Sequence, residues 1–305
     1  MVERLVANEK VEGSTPFARS KRDFKMITWI ASYPKSGNTF LRSFLSAYFF
    51  SNSGKFEFDL LYNILQFPSL KFSKKDLFSK KESAQNWILN QNHFFNKKDV
   101  FLKTHNTLID FEGYKFTSSI QTKGAIYIIR DPRNIILSMN HHYSLSFQEA
   151  YEKIIDDKAS LLEKTFNNDH SNFTFLGSWS NHYKSWRDNK DFKILFIKYE
   201  DLERNIETEF KKIINFICEL KNEMIKIDDK KFFNSLKSTR FSNLKNKENI
   251  SGFEESVYSD KGKKLNFFNL GFKNKWQKKL PNDIVQKVNK SLEKELIELG
   301  YSLDE

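Results

Sequence analysis

The chain has 305 residues, a net charge of +11 at neutral pH and 39% hydrophobic residues. This length suits one α/β domain, and no apolar stretch reaches the roughly 20 residues that a bilayer-spanning helix needs. The single cysteine, Cys218, excludes an internal disulfide and is typical of a reducing compartment. We therefore expect a cytoplasmic protein without a membrane span.

Residues 1–25 differ from the rest of the chain. They lack the apolar centre of a signal peptide. Gly13–Pro16 is also what translation through the T-arm of a transfer RNA gene would produce. We predict that residues 1–25 are a non-native or disordered extension, that Met26 is the native start, and that 26–305 form a single domain.

The stretch 29–41 carries the first candidate site. The apolar run 27–31, which overlaps its start, predicts a strand. The apolar spacing of 41–50, which follows it, predicts a helix with a buried face. Gly37 between them permits close backbone approach, and the first N–H groups of the helix favour an anion. A Walker-type loop is not matched, because the lysine precedes the glycine. The polar loop residues are Lys35, Ser36, Gly37, Asn38 and Thr39.

Candidate ligand-binding residues follow two further predicted strands. Lys103 and His105 follow the apolar residues 100–102, and the alternation of a strand places both side chains on one face. The apolar run 125–129 ends in Arg130 and is followed by Pro132, which suits the first turn of a helix. Asp131 is predicted to cap that helix, Arg133 to be a solvated first-turn charge, and Ser138 to lie one turn further along.

Alternating strands and helices predict the fold class. Strands expected near 26–31, 100–103, 125–129 and 193–197 alternate with helices expected at 132–145, 175–188 and 282–298. This order is typical of a parallel sheet, whose ligands bind at the carboxyl ends of the strands. The neighbouring histidines 141–142 have no acidic or cysteine partner at ligand spacing, so we predict no metal site and place them on the helix surface or in an acceptor pocket.

Across about residues 26–280, these segments resemble, in order, the motifs of sulfotransferases that use 3′-phosphoadenosine 5′-phosphosulfate (PAPS). The resemblance implies a three-layer α/β fold, with helices on both faces of a parallel sheet, akin to the P-loop nucleotide kinases. It also covers Tyr199-Glu-Asp-Leu202 and Thr239-Arg-Phe241. It implies catalytic roles for Lys35, Lys103 and His105. The donor-binding residues that it implies are Lys35, Ser36, Gly37, Asn38, Thr39, Phe40, Arg130, Ser138, Tyr199, Thr239, Phe241 and Gly271.

One segment departs from the family pattern. Relatives commonly carry Arg-Lys-Gly-x-x-Gly-x-Trp-Lys, whereas this chain has Asn269-Leu-Gly-Phe-Lys-Asn-Lys-Trp-Gln277. The Arg-Lys pair is absent, and Lys273 or Lys275 could restore positive charge from a new position. Weaker donor binding is the expected consequence.

The resemblance implies in-line transfer of a sulfonate from PAPS to a hydroxyl or amine, with His105 accepting the proton and no metal required. The acceptor is expected to be a small molecule, a lipid or a glycan bound by loops within 56–95, 141–147 and 257–268. The oligomeric state is not indicated. The basic charge fits a polyanionic donor, and the lysines form no recognisable nucleic-acid module, so no nucleic-acid partner is expected.

Two other function classes stay open. A nucleotide kinase or NTPase would share the strand–loop–helix arrangement, with Asp131 as the candidate magnesium ligand. A non-catalytic binder of adenosine phosphates would explain the altered segment at 269–277. The presence of His105 argues against mere binding, which would not require a histidine.

Overall fold

The computed structural model describes residues 27–73, 76–94, 100–162, 169–223, 226–258, 262 and 264–303. The predicted extension and Met26 lie outside these residues. The strands are β1 (Ile27–Ser32), β2 (Ile64–Gln66), β3 (Phe101–Thr104), β4 (Asp110–Phe111), β5 (Tyr114–Lys115), β6 (Thr122–Ile129), β7 (Ser160–Leu161), β8 (Thr174–Phe175), β9 (Lys193–Lys198), β10 (Val257–Tyr258) and β11 (Lys264–Leu265). The α-helices are α1 (Asn38–Phe50), α2 (Lys80–Gln91), α3 (Pro132–Tyr143), α4 (Phe147–Ile155), α5 (Trp179–Arg187), α6 (Tyr199–Arg204), α7 (Ile206–Lys221), α8 (Asp229–Ser238), α9 (Phe241–Ser251), α10 (Asn282–Ser291) and α11 (Glu293–Glu298).

Five strands form a central sheet in the order β2-β3-β1-β6-β9, and every neighbouring pair is parallel. Side chains of successive residues enter opposite layers, as a strand requires. Trp29 and Tyr127 belong to one hydrophobic cluster, whereas Ile30 and Ile126 belong to the other. The predicted parallel sheet with helices on both faces is therefore confirmed.

The helix predicted at 132–145 is observed as α3, whereas the helix predicted at 175–188 begins only at Trp179, because Phe175 belongs to β8. Asp131 caps α3, because its carboxylate accepts a hydrogen bond from the backbone N–H of Arg133. The helix ends at Tyr143, because Ser144 adopts a left-handed backbone with φ 54°. The predicted helix at 282–298 is two helices, α10 and α11, interrupted at Leu292.

The prediction that Arg133 is a solvated charge is wrong. Its side chain is fully buried and pairs with Asp131 at 2.8 Å. The guanidinium also donates to the backbone carbonyl of Ser302 at 2.8 Å and lies 3.9 Å from the ring centre of Trp276. Arg133 thus joins the start of α3 to the carboxyl-terminal segment, and its role is structural.

The apolar run of α1 is a helix of the core and is interrupted by the buried Arg42. Within the described ranges, every helix is too short or too polar to cross a bilayer. Cys218 is buried in α7 among the apolar residues of the second cluster.

Candidate active site

A cavity of about 470 Å³ lies where β1, β3 and β6 end. Ser36 and Thr239 are not among its lining residues. Ser36 is buried within the loop, and the Thr239 hydroxyl donates to the backbone carbonyl of Ser235 at 2.7 Å. The predicted site residues that line it are Lys35, Gly37, Asn38, Thr39, Phe40, Lys103, His105, Arg130, Ser138, Tyr199, Phe241 and Gly271.

The loop between β1 and α1 is closely packed at Gly37. This residue has φ 98°, and a Cβ added to it would lie 2.3 Å from Cδ2 of Tyr199. The Asn38 side chain ties the loop back to β1, because its Nδ2 donates to the carbonyl of Ile30 at 3.0 Å and to Ser32 Oγ at 3.1 Å. Only glycine combines this backbone with this approach, so Gly37 shapes the loop for a ligand.

Arg130 connects the end of β6 to the same loop. One terminal nitrogen donates to the carbonyl of Lys35 at 2.9 Å, and the guanidinium lies 4.4 Å from the ring centre of Tyr199. Within the part of the chain that the structure describes, Arg130 Nε and Ser36 Oγ are buried without a hydrogen-bond partner. Buried polar groups are normally satisfied, and Arg130 lines the cavity whereas Ser36 does not, so the arginine nitrogen fits the binding of a polar ligand such as a phosphate.

His105 lies just beyond β3, and its protonation follows from its contacts. Its Nδ1 lies 2.8 Å from the backbone carbonyl oxygen of Ser32. A carbonyl oxygen only accepts, so Nδ1 carries the proton and Nε2 keeps its lone pair. Burial and the charge of Lys103 lower the pKa of His105 well below its usual value. The imidazole is therefore neutral at physiological pH, with Nε2 able to take a proton.

A second histidine holds the backbone of the first. Nε2 of His182 lies 3.0 Å from the carbonyl oxygen of His105, and its Nδ1 lies 2.7 Å from the hydroxyl of Tyr127. The carbonyl again requires a proton on Nε2, which leaves Nδ1 to accept from the tyrosine. This buried chain links β6 and α5 to the residue after β3.

The ammonium of Lys35 lies in the cavity wall, 4.3 Å from the ring centre of Phe267. Burial, opposed by Glu255 and assisted by the positive charges of Lys103 and Arg130, lowers the pKa of Lys35 to about 7. An anion in the cavity would raise this pKa again, because it favours the charged ammonium.

The loops predicted to bind an acceptor each contribute to the cavity wall. Gln66, Val257 and Phe267 come from different parts of the chain, and His141 and His142 come from the end of α3. Burial lowers the pKa of His142 to about 3, with the nearby Lys35 acting in the same direction. Among the described residues, no group of three or more His, Cys, Asp or Glu side chains is placed to hold a metal ion.

The altered segment near residue 271 closes one side of the cavity. A Cβ added to Gly271 would lie 2.6 Å from the ring of Phe241, and the backbone there is left-handed with φ 55°. Lys275 is paired with Glu203 at 2.6 Å and is not a lining residue. Lys245 donates to the carbonyl of Asn269 at 2.9 Å. Neither Lys273 nor Lys275 lines the cavity, so neither takes the place of the absent Arg-Lys pair at its wall.

Two residues of the site were missed in the sequence, Arg42 and Glu255. Arg42 is buried in α1 and donates to Glu255 at 2.9 Å and to the carbonyl of Ile64 at 2.9 Å. The other carboxylate oxygen of Glu255 accepts from the hydroxyl of Thr39 at 2.9 Å. An arginine within an apolar run was a signal of a buried anionic partner, but nothing in the sequence identified that partner.

Comparisons with known proteins agree with this architecture. Residues 26–300 match the family model described as "Sulfotransferase domain". Sulfotransferase 4A1 of Mus musculus is 27% identical over 222 residues, which are 66% of this chain and 66% of that protein. Sulfotransferase 1E1 of Bos taurus is 25% identical over 232 residues, which are 71% of this chain and 65% of that protein. The matched region therefore spans slightly less than two thirds of these relatives.

A solved structure shares the fold. The mouse sulfotransferase SULT7A1 in complex with PAP superposes with a TM-score of 0.56 and 18% sequence identity. The alignment covers 89% of this chain and 84% of that one. Because the family model matches most of the chain, the protein belongs to the sulfotransferase family, a family of enzymes.

Proposed function

We propose that this protein transfers a sulfonate group from PAPS to a hydroxyl or amine of an acceptor. The observation that carries the proposal is the meeting of a phosphate-type loop, an arginine and a neutral histidine in one cavity. Lys35 lies after β1, His105 after β3 and Arg130 after β6, so three strand ends supply them. Family membership agrees with this chemistry.

The donor would lie along the loop after β1. The backbone around Gly37 and the first turn of α1 suit the 5′-phosphosulfate, because helix N-termini attract anions. Arg130 and Ser138 are proposed to hold the 3′-phosphate, and both line the cavity. The buried, unpartnered Nε of Arg130 supports this assignment. Phe241 and Tyr199 would flank the adenine.

The reaction would be an in-line displacement at sulfur. The acceptor oxygen or nitrogen forms a bond to sulfur while the bond from sulfur to the bridging phosphate oxygen breaks, releasing the adenosine bisphosphate. Nε2 of His105 takes the acceptor proton, because the contact of Nδ1 with the Ser32 carbonyl leaves the lone pair on Nε2. Lys35 and Lys103 stabilise negative charge on the leaving oxygen and the moving sulfonate.

The acceptor is proposed to be a small molecule, a lipid or a glycan. It would approach His105 from the side of the cavity that holds His142 and Phe267. Phe267 is fixed by Glu248, whose carboxylate accepts from the backbone N–H groups of Phe267 and Phe268 at 2.6 and 2.9 Å. An aromatic wall of this kind suits a flat or apolar acceptor. Cytoplasmic location and independence of metals stay predictions.

A transfer assay tests the proposal. The protein is incubated with sulfur-labelled PAPS and one acceptor of each class, namely a phenol, an aromatic amine, a long-chain alcohol and an oligosaccharide. We expect labelled product with at least one class and its loss in His105→Ala. A protein that binds PAPS but moves label to none of them would instead support a non-catalytic binder of adenosine phosphates.

A further inference from the structure

Glu255 places a negative charge inside a site built for anions. One carboxylate oxygen accepts from the hydroxyl of Thr39 at 2.9 Å. The other lies 2.9 Å from Arg42 and 3.4 Å from the ammonium of Lys103. Thr39 lies in the first turn of α1, where the proposed function places the 5′-phosphosulfate, and Lys103 is proposed to stabilise the moving sulfonate. The carboxylate and the donor thus share two partners.

The Thr39 hydroxyl cannot donate to Glu255 and to a bound anion at the same time. A hydroxyl carries a single proton, and a carboxylate can only accept, so the Thr39 hydroxyl donates to Glu255 in this structure. It can donate to a phosphate or sulfonate oxygen only after it leaves the carboxylate. Lys103 has three N–H donors and can be shared, but two anions beside it repel each other.

The charge on Glu255 is firmly held. Burial raises the pKa of its carboxyl, but the positive charges of Lys103 and Arg42 outweigh burial and lower it well below the usual range. The carboxylate is therefore ionised at neutral pH. Protonation does not remove the competition, so an incoming anion must displace the side chain.

The position of Glu255 allows such a displacement. Its side chain is 30% exposed, whereas those of Arg42 and Lys103 are 6% and 8% exposed. It also lies between the donor cavity and a second cavity of about 750 Å³ that Arg42, Gln66 and Ser256 help to line. Arg42 lines the second cavity as well, so a carboxylate displaced in that direction would stay beside the guanidinium.

We propose that Glu255 occupies the 5′-anion position of the donor site and lowers the preference of the site for 5′-phosphorylated ligands, because such a ligand must displace the carboxylate. This inference rests on the proposed donor site. Displacement of Glu255 lowers the affinity for every 5′-phosphorylated ligand and leaves the affinity for a ligand without a 5′-phosphate unchanged. Removing the charge of Glu255 should therefore strengthen the binding of 5′-phosphorylated ligands only.

Calorimetric titration with two probes tests the inference. Adenosine 3′,5′-bisphosphate carries the 5′-phosphate, and adenosine 3′-monophosphate lacks it. Glu255→Gln keeps an oxygen that accepts from Arg42 but removes the charge. We expect the ratio of the two affinities, bisphosphate over monophosphate, to rise about tenfold in this variant, as loss of one close like-charge contact predicts.

Two further variants sharpen the result. Glu254→Gln removes a charge from the neighbouring residue, whose carboxylate instead accepts from the hydroxyl of Tyr62, and the ratio should stay near the wild-type value. Glu255→Asp keeps the charge on a shorter side chain and should give an intermediate ratio. The aspartate variant also provides the test if the glutamine variant does not fold.

The outcomes separate the two proposals. If the wild-type protein binds the bisphosphate and the ratio is unchanged or falls in Glu255→Gln and Glu255→Asp, the inference is wrong and the donor site stands. If neither wild type nor Glu255→Gln binds the bisphosphate, the proposed function fails and the inference falls with it. Glu254 also lines the donor cavity, so a rise of similar size in Glu254→Gln would mean that any negative charge at the cavity wall, not the Thr39 contact, sets the affinity, and would also overturn the inference.

Discussion

The Nδ1 atom of His105 lies 2.8 Å from the backbone carbonyl oxygen of Ser32, the last residue of β1. Ser32 Oγ also accepts from the side chain of Asn38 at 3.1 Å, at the start of α1. One residue thus contacts both the proposed base and the proposed phosphate loop. The arrangement fixes the tautomer of His105 and its position relative to the loop between β1 and α1.

Replacing His105 separates transfer from donor binding. In His105→Ala we expect the transfer rate to fall by about 10²–10⁴-fold, the usual loss when a general base is removed. The affinity for adenosine bisphosphate should change little, because the contacts assigned to the phosphates come from other residues. Parallel rate and titration measurements check this, and an equal loss of donor affinity would argue that His105 binds the donor.

The pKa of Lys35 predicts a pH dependence of donor binding. Burial lowers this pKa to about 7, so the unliganded protein loses the positive charge as the pH rises through that value. Affinity for the bisphosphate should therefore decline toward alkaline pH, with proton uptake on binding. In Lys35→Arg the charge persists, and the decline should disappear.

The phosphates of the ligand also titrate, but they contribute equally to the pH profiles of wild type and Lys35→Arg. The difference between the two profiles therefore reports Lys35. The measurement is the dissociation constant between about pH 6 and about pH 9, a range that spans the lowered lysine pKa. Identical profiles for wild type and Lys35→Arg would show that Lys35 does not titrate in this range.

Gly37 predicts a steric effect on the phosphate loop. Gly37→Ala would place its Cβ 2.3 Å from Tyr199, in a left-handed backbone. We expect at least a tenfold loss of bisphosphate affinity and a loss of about 1–3 kcal/mol in the free energy of unfolding, because the loop or the tyrosine must move. Urea unfolding and titration measure the two effects.

The matched control is Gly113→Ala, between β4 and β5. This glycine has φ 89°, but a Cβ there would meet nothing within 4 Å. The variant carries the backbone strain without the clash, so its donor affinity should equal that of wild type. A comparable loss of affinity in both variants would mean that the contact of Gly37 with Tyr199 is not what matters.

Arg133 predicts a stability effect without a direct effect on chemistry. Arg133→Ala leaves Asp131 buried without its partner and removes the contact with Trp276. We expect the free energy of unfolding to fall by about 3–5 kcal/mol, as for other broken buried pairs. Arg187→Ala, which removes two more exposed pairs, with Asp188 and Glu298, should cost clearly less, about 1 kcal/mol. Similar losses for both would show that burial of Arg133 contributes nothing.

The strands and the phosphate loop were predictable because their signals are local. Short apolar runs identified β1, β3 and β9 to within one residue of their ends, whereas β6 begins three residues before its predicted start at 125. The three residues of β2 escaped notice, because such a short strand carries no pattern and is stabilised by its pairing with β3. Local sequence therefore located the site, whereas the sheet edge depended on tertiary contacts.

The break between α10 and α11 could not be seen in the sequence. Apolar residues continue at helical spacing through Val288, Leu292 and Leu296, and all three are buried. Leu292 nevertheless has φ −123° and ψ 22°, outside the helical range. Apolar residues at helical spacing indicate which face of a helix packs on the core. They do not indicate whether the helical backbone hydrogen bonds continue without a break.

Arg133 and Glu255 show why charges were harder to place. The partners of Arg133 include Asn289 and Ser302, more than 150 residues away in the chain. Glu255 lies 213 residues from Arg42, and neither position carries a signal for the other. A charged residue appears solvated in a sequence until the fold supplies its partner.

Ligand-dependent stability tests the central claim most directly, because it does not depend on knowing the acceptor. The melting temperature is measured with adenosine 3′,5′-bisphosphate, with AMP, and with ATP and magnesium. At about 100 times its dissociation constant a ligand adds about 2.7 kcal/mol, a rise of several degrees. The account predicts a rise that is largest for the bisphosphate. A larger rise with ATP and magnesium, or none with the bisphosphate, would contradict it.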